Sequence, residues 1–115
     1  MTGSIKDKVA IIGMGCTRFG ERWDASAGDM IVEAASEAFE DAGVGPKDIQ
    51  AAWGGTLWTG LTGMTVGHAL KLQFIPITRV ENACCSGTEA VRNAAYAVAS
   101  GVYDLALAVG YEKIK

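Results

Sequence analysis

The feature that most narrows the possible folds is residues 86–100 (SGTEAVRNAAYAVAS), a helical stretch whose surface is small and apolar on nearly every side. Ala90, Val91, Ala94, Ala95, Ala97, Val98 and Ala99 surround most of its circumference. A helix that is apolar all round is expected to be buried, so its predicted place is between two layers of other structure. The preceding residues 75–80 (IPITRV) form a β-branched run that reads as a strand, and Asn82 supplies turn chemistry between the two. Gly101 ends the helix, and residues 103–110 (YDLALAVG) read as another strand. Strand, helix and strand at this spacing form a parallel crossover unit.

The same pattern occurs earlier. Residues 8–13 (KVAIIG) form a short apolar run closed by glycine, as expected of a first strand buried on both faces. Residues 26–42 carry Met30, Ile31, Ala34, Ala35, Ala38, Phe39 and Ala42 on one helical face; Gly43, Gly45 and Pro46 then stop the helix. A second strand is predicted over residues 51–56 and a glycine- and threonine-rich loop over 54–65, before a stretch (HALKLQF) of short-helix character. The whole reads βαβ(α)βαβ, an α/β fold with a mostly parallel sheet. At 115 residues the chain has the size of one domain.

Composition removes several function classes. Ten basic and thirteen acidic residues give a net charge of -3 with no Lys/Arg block, so a nucleic-acid partner has no electrostatic footprint. No stretch approaches the roughly 18 uncharged apolar residues of a membrane span, and the first residues (MTGSIKDKVA) lack a signal-peptide core. A cytoplasmic location is the expectation. Cys16, Cys84 and Cys85 cannot all pair, and a disulfide between adjacent cysteines is strained, so free thiols are expected. Three cysteines without a CxxC pair and one histidine, His68, do not assemble a metal site. Trp23, Trp53 and Trp58 read as packing residues, and Glu112 and Lys113 as a solvated turn.

Chemistry concentrates in residues 80–89 (VENACCSGTE), where a strand passes through a tight turn into the small-residue helix. A nucleophile there is presented by the backbone itself, and the open N–H groups and positive dipole end of a helix start stabilise negative charge. By pattern alone, a cysteine after a strand is more often a small buried hydrophobe than a nucleophile. Residues 82–87 (NACCSG), however, resemble the active-site signature of thiolases, in which the acyl-accepting cysteine opens a buried central helix. Residues 11–21 (IIGMGCTRFGE), 41–49 (DAGVGPKDI) and 109–114 (VGYEKI) resemble the archaeal and sterol-carrier-protein branch of that family, in the same order.

The resemblance implies that Cys84 is the catalytic nucleophile and that Cys85 fills a position usually held by Ala, Ser or Gly. It implies a thiolase-like fold of which residues 1–115 are most of the N-terminal half, with a mixed, mostly parallel sheet around a buried central helix. The C-terminal half, which carries the catalytic histidines and a second cysteine in the family, is expected in cis or on a separate chain, and this segment alone is expected to be inactive. CoA and acyl-CoA are implied as substrates, with no permanently bound cofactor; the cofactor-binding residues stay unassigned. Implied partners are a second copy, as a homodimer or tetramer, and a zinc-ribbon/OB-fold acyl-CoA protein. Thiolase chemistry exchanges an acyl group between a cysteine thioester and CoA or acetyl-CoA, forming or cleaving a carbon–carbon bond.

Alternatives keep the fold and change the chemistry: a non-catalytic thiolase-like subunit, a thiolase-related aldolase on CoA-linked substrates, or a ketoacyl synthase relative. A nicotinamide-binding Rossmann domain is also suggested by Gly13-Met14-Gly15, but Arg18 stands where a third glycine is needed.

Overall fold

The computed structural model describes residues 3–115. Its first regular element is helix α1, Ala27–Ala42. Ser26 starts it by a reciprocal capping box: the Ser26 hydroxyl accepts from Asp29 N at 3.1 Å, and the Asp29 carboxylate accepts from Ser26 N at 2.9 Å. Gly43, at φ 71°, closes it in the left-handed conformation that glycine adopts without cost. A single 3-10 turn, Pro46–Asp48, then leads into strand β1, Ala51–Gly55. Helix α2 (Met64–Leu70), strand β2 (Ile77–Val80), helix α3 (Ser86–Ala99) and strand β3 (Ala106–Gly110) follow.

The three strands form one parallel sheet in the order β2-β1-β3. Ala52 stands opposite both Ile77 and Leu107, which fixes the register across the sheet. Alternate residues point to opposite faces. On one face Ala52, Leu107 and Val109 join Ile31, Ala35 and Phe39 of α1 and Val66 and Leu70 of α2 in the main core. Helix α3 covers the other face, packing on β1 and β3 through the buried Ala90 and Ala94. The result is three layers: α1 and α2, the sheet, and α3.

Five expectations change. The predicted first strand, residues 8–13, has no regular structure and makes no ladder. It runs along α1 instead, close enough that a Cβ on Gly13 would meet the Ala38 carbonyl at 2.3 Å and one on Gly15 the Ala34 carbonyl at 2.0 Å. Carboxylates of α1 accept the segment's amides, Asp41 from Met14 N at 3.0 Å and Glu37 from Cys16 N at 3.3 Å. Ile11 and Ile12 are exposed, so the apolar signal is real, but no described strand offers its edge to them. The remaining strands are one to three residues shorter than their apolar runs at one end.

The loop predicted for residues 54–65 gives its first two glycines to β1 and its last two residues to α2, so the short helix begins earlier than its apolar pattern. Helix α3 is not enclosed. Val91 and Tyr96 are about half exposed, because the chain lays a single layer against a helix whose composition suits two. Trp23 and Trp58 are exposed as well, and only Trp53 is half-buried in the sheet.

Candidate active site

Ligands of open parallel sheets bind beyond the carboxyl ends of the strands, and here those ends converge under the start of α3. The ladder runs on past the strands: Thr56 N donates to the Val80 carbonyl at 3.3 Å, and Tyr111 N to the Gly55 carbonyl at 3.0 Å. Glycine at the ends of β1 and β3 lets α3 come down onto them. A Cβ on Gly55 would lie 2.2 Å from the Ser86 carbonyl oxygen, and one on Gly110 3.1 Å from Gly87 Cα. At Gly55 no other residue type fits without displacing the helix start, and at Gly110 a methyl group would require the helix to give by a few tenths of an ångström.

The turn between β2 and α3 is tied internally. The buried Ser86 hydroxyl accepts from Asn82 N at 2.9 Å and donates to the Ala83 carbonyl at 2.8 Å. Cys85 N donates to the Asn82 carbonyl at 3.1 Å. Ala83 takes φ 47°, a left-handed conformation that is uncommon for a residue with a Cβ and clusters at functional sites. Directly after it comes Cys84, exposed. Cys85, not Cys84, is the N-cap of α3, so Cys84 precedes the helix instead of opening it. The Cys85 thiol donates to the Asn82 carbonyl at 3.0 Å and is spent on the turn.

His68 is exposed in the last turn of α2, on the face of the sheet opposite α3, and the fold does not bring it to Cys84 as a base. Cys16 is exposed beside α1, its thiol donating to the Thr17 carbonyl at 3.2 Å. Gly13-Met14-Gly15 neither ends a ladder strand nor opens a helix, which removes the nucleotide-binding reading. Among the described residues no three His, Cys, Asp or Glu side chains gather as a metal site, and no helix is long and apolar enough to cross a membrane.

Sequence reasoning missed Glu112. Instead of lining a solvated turn, its carboxylate accepts from Leu57 N at 2.8 Å, Trp58 N at 3.1 Å, and the hydroxyls of Thr56 and Thr59. Burial pushes its pKa up, but the hydrogen bonds from Thr59, Leu57, Trp58 and Thr56 outweigh that and hold it below the usual carboxylate range. Arg79, in β2, donates to the carbonyls of Thr56 and Leu57 at 3.1 and 3.0 Å. Lys113 N donates to the Thr59 hydroxyl at 2.8 Å. Nothing in its local sequence, one residue past Tyr111 at the end of an apolar run, marked it.

The family described as "Thiolase, N-terminal domain" matches residues 9–115. Acetyl-CoA acetyltransferase of Methanothermobacter thermautotrophicus is 46% identical over 113 residues, covering 92% of this chain and 29% of its own. The acetyl-CoA acetyltransferase of Methanocaldococcus jannaschii is 45% identical, with the same coverage. The chain thus spans about 29% of the length of these archaeal relatives. Among solved structures, the Ltp2-ChsH2(DUF35) aldolase superposes with a TM-score of 0.68 and 29% identity, over 81% of this chain and 24% of that one.

Proposed function

The chain belongs to the thiolase family, as an N-terminal domain of it, and from that premise we propose that Cys84 is the acyl-carrying nucleophile of an acetyl-CoA C-acyltransferase. The observation that carries the proposal is the placement of Cys84: exposed, one residue after the left-handed Ala83 and two before the first residue of α3. In the reaction the Cys84 thiolate attacks the carbonyl carbon of an acyl-CoA thioester. The tetrahedral oxyanion collapses, the carbon–sulfur bond to CoA breaks, and the departing thiolate leaves as CoA after taking a proton. In synthesis acetyl-CoA gives up an α-proton, its α-carbon attacks the Cys84 thioester carbonyl, and the bond to the Cys84 sulfur breaks to restore the thiolate. In degradation Cys84 attacks the 3-keto carbon of a 3-ketoacyl-CoA, the carbon–carbon bond breaks, the departing acetyl-CoA enolate takes a proton, and CoA thiolate then displaces Cys84 from the acyl group. Amides of the first turn of α3 are candidate donors to the oxyanion.

The base that activates the thiol and the groups that handle the enolate belong, in this proposal, to a C-terminal half that docks on the exposed side of α3, in cis or as a second chain. CoA and acyl-CoA are substrates, no cofactor is permanently bound, and the enzyme is a homodimer or tetramer in the cytoplasm, where three free thiols stay reduced. A zinc-ribbon/OB-fold acyl-CoA protein is the accompanying partner. Incubating the complete enzyme with acetyl-CoA, followed by digestion and mass analysis, is expected to find an acetyl group on the peptide carrying Cys84 and none after Cys84→Ala. An unmodified Cys84 under turnover conditions ends the proposal.

A second reading has its own support. Similarity to an aldolase favours carbon–carbon cleavage of a CoA-linked side chain without an acyl-enzyme. It predicts an aldehyde or ketone product, no cysteine adduct, and activity that survives Cys84→Ala.

A further inference from the structure

The strongest polar construction outside the cysteine turn is the set of bonds around residues 56–59, and its position gives it a task. We propose that Glu112 is a positioning residue for Cys84: its carboxylate locks the carboxyl ends of β1 and β3 into one plate on which the cysteine turn and the start of α3 are seated. The proposal rests on the reading of Cys84 as the acyl carrier and adds a second residue to it.

The connection between Glu112 and Cys84 is made of adjacent backbone. Glu112 binds the segment 56–59 through two amides and two hydroxyls. Thr56, buried to 1% exposure, follows Gly55, which lies directly beneath the Ser86 carbonyl. Thr56 N is also bonded to Val80, the last residue of β2 before the turn, while Arg79 holds the Thr56 and Leu57 carbonyls from the same strand. All three strand ends are therefore fastened to one short segment. Movement of that segment carries Gly55 with it, and Gly55 has no clearance from α3.

The carboxylate is matched to its donors. Oε1 accepts from the Thr56 and Thr59 hydroxyls and from Trp58 N, and Oε2 from Leu57 N and Trp58 N. Both oxygens face at least one backbone N–H, which cannot turn round to accept. Glutamine has the same shape but one acceptor fewer. With its NH2 at the Oε1 position Trp58 N keeps only its longer bond of 3.3 Å and both threonine hydroxyls must reverse, and with its NH2 at the Oε2 position Leu57 N faces a donor, so Glu112→Gln weakens the lock in either orientation. A shorter carboxylate in Glu112→Asp keeps two acceptors and restores part of the lock.

The test uses the complete enzyme and three variants: Glu112→Gln, Glu112→Asp, and Asp48→Asn as a matched control. Asp48 accepts from Gly45 N at 2.8 Å before β1 begins, so its loss removes a backbone-capping carboxylate away from the carboxyl ends of the strands. Hydrogen exchange of the segment holding Leu57 and Trp58 is expected to accelerate at least about tenfold in Glu112→Gln, as the protected amides lose their partner. The single-turnover rate of Cys84 acetylation is expected to fall about 10- to 100-fold, in line with a nucleophile misplaced by a fraction of an ångström to an ångström, with KM within about twofold. Glu112→Asp is expected to fall between, and Asp48→Asn to lower the melting temperature while leaving the acetylation rate per folded enzyme unchanged. A Glu112→Gln enzyme that acetylates Cys84 at the parent rate, or Asp48→Asn slowing it equally, overturns the positioning role alone. Failure of the unaltered enzyme to acetylate Cys84 overturns the underlying reading, so the two failures are distinguishable.

Discussion

The two faces of the sheet are built on opposite principles. On the α1–α2 face, large branched and aromatic side chains interlock: Ile31 and Val66 are at most 1% exposed, with Phe39, Leu70, Leu107 and Val109 around them. On the α3 face Ala and Gly predominate beside Trp53, Thr78 and Val80, and at the start of the helix the contact is backbone against backbone at Gly55, Gly87 and Gly110. Apolar area, and with it most of the stabilisation, lies on the first face. The second contributes little area but holds the α3 start to a position that a single methyl group would disturb. The difference separates what keeps the domain folded from what aims the cysteine.

Substitution on each face tests that division, and the largest effect belongs to the first. Ile31→Ala removes a side chain from the centre of the core, and the expected loss is about 2 to 5 kcal/mol of unfolding free energy, read from a denaturant midpoint. Cys84 reactivity toward iodoacetamide in the folded fraction should stay within about twofold, since transfer and cavity terms act on stability alone. Gly55→Ala comes next. Its Cβ overlaps the Ser86 carbonyl, and the overpacking is expected to cost about 1 to 3 kcal/mol. The same methyl lifts the start of α3, so acetylation of Cys84 should drop by at least about tenfold. If Ile31→Ala and Gly55→Ala disturb Cys84 equally at matched stability, the two faces do not divide the labour as described.

Much of this was legible in the sequence, and the illegible parts have physical reasons. Helix α1 was readable because its apolar spacing and its Gly43 stop act locally. The turn at Cys84 was readable because strand, turn residue and small-residue helix follow one another within a few positions. Residues 8–13 carry the apolar run of a buried strand, yet a strand requires a ladder partner, and nothing local says whether one is present. Glu112 was unreadable for a related reason: its donors are more than fifty residues away, and a lone Glu after a strand has the same local pattern whether solvated or fastened. The burial of α3 was overestimated because composition reports what a helix tolerates on its surface, and only packing decides how many layers cover it.

The smallest expected effect makes the sharpest comparison between the inner and outer sides of α3. Val91 is 48% exposed on the outer side, one position from the fully buried Ala90. Val91→Lys in this chain should change unfolding free energy by no more than about 0.5 kcal/mol, as is usual for exposed positions away from special contacts, and Lys is the better helix former of the two. Ala90→Lys, by contrast, forces a long side chain against the sheet and should cost about 1 to 3 kcal/mol by overpacking, well above Val91→Lys. The proposed docking of a C-terminal half on the outer side adds a condition. In the complete enzyme Val91 would be covered, and Val91→Lys should then cost several times more than in the domain, because a lysine at an apolar interface must be desolvated without a partner. Equal, small costs in the domain and in the complete enzyme, measured by the same denaturant titration, would leave the outer side of α3 facing water in both and remove the docking site from the proposal.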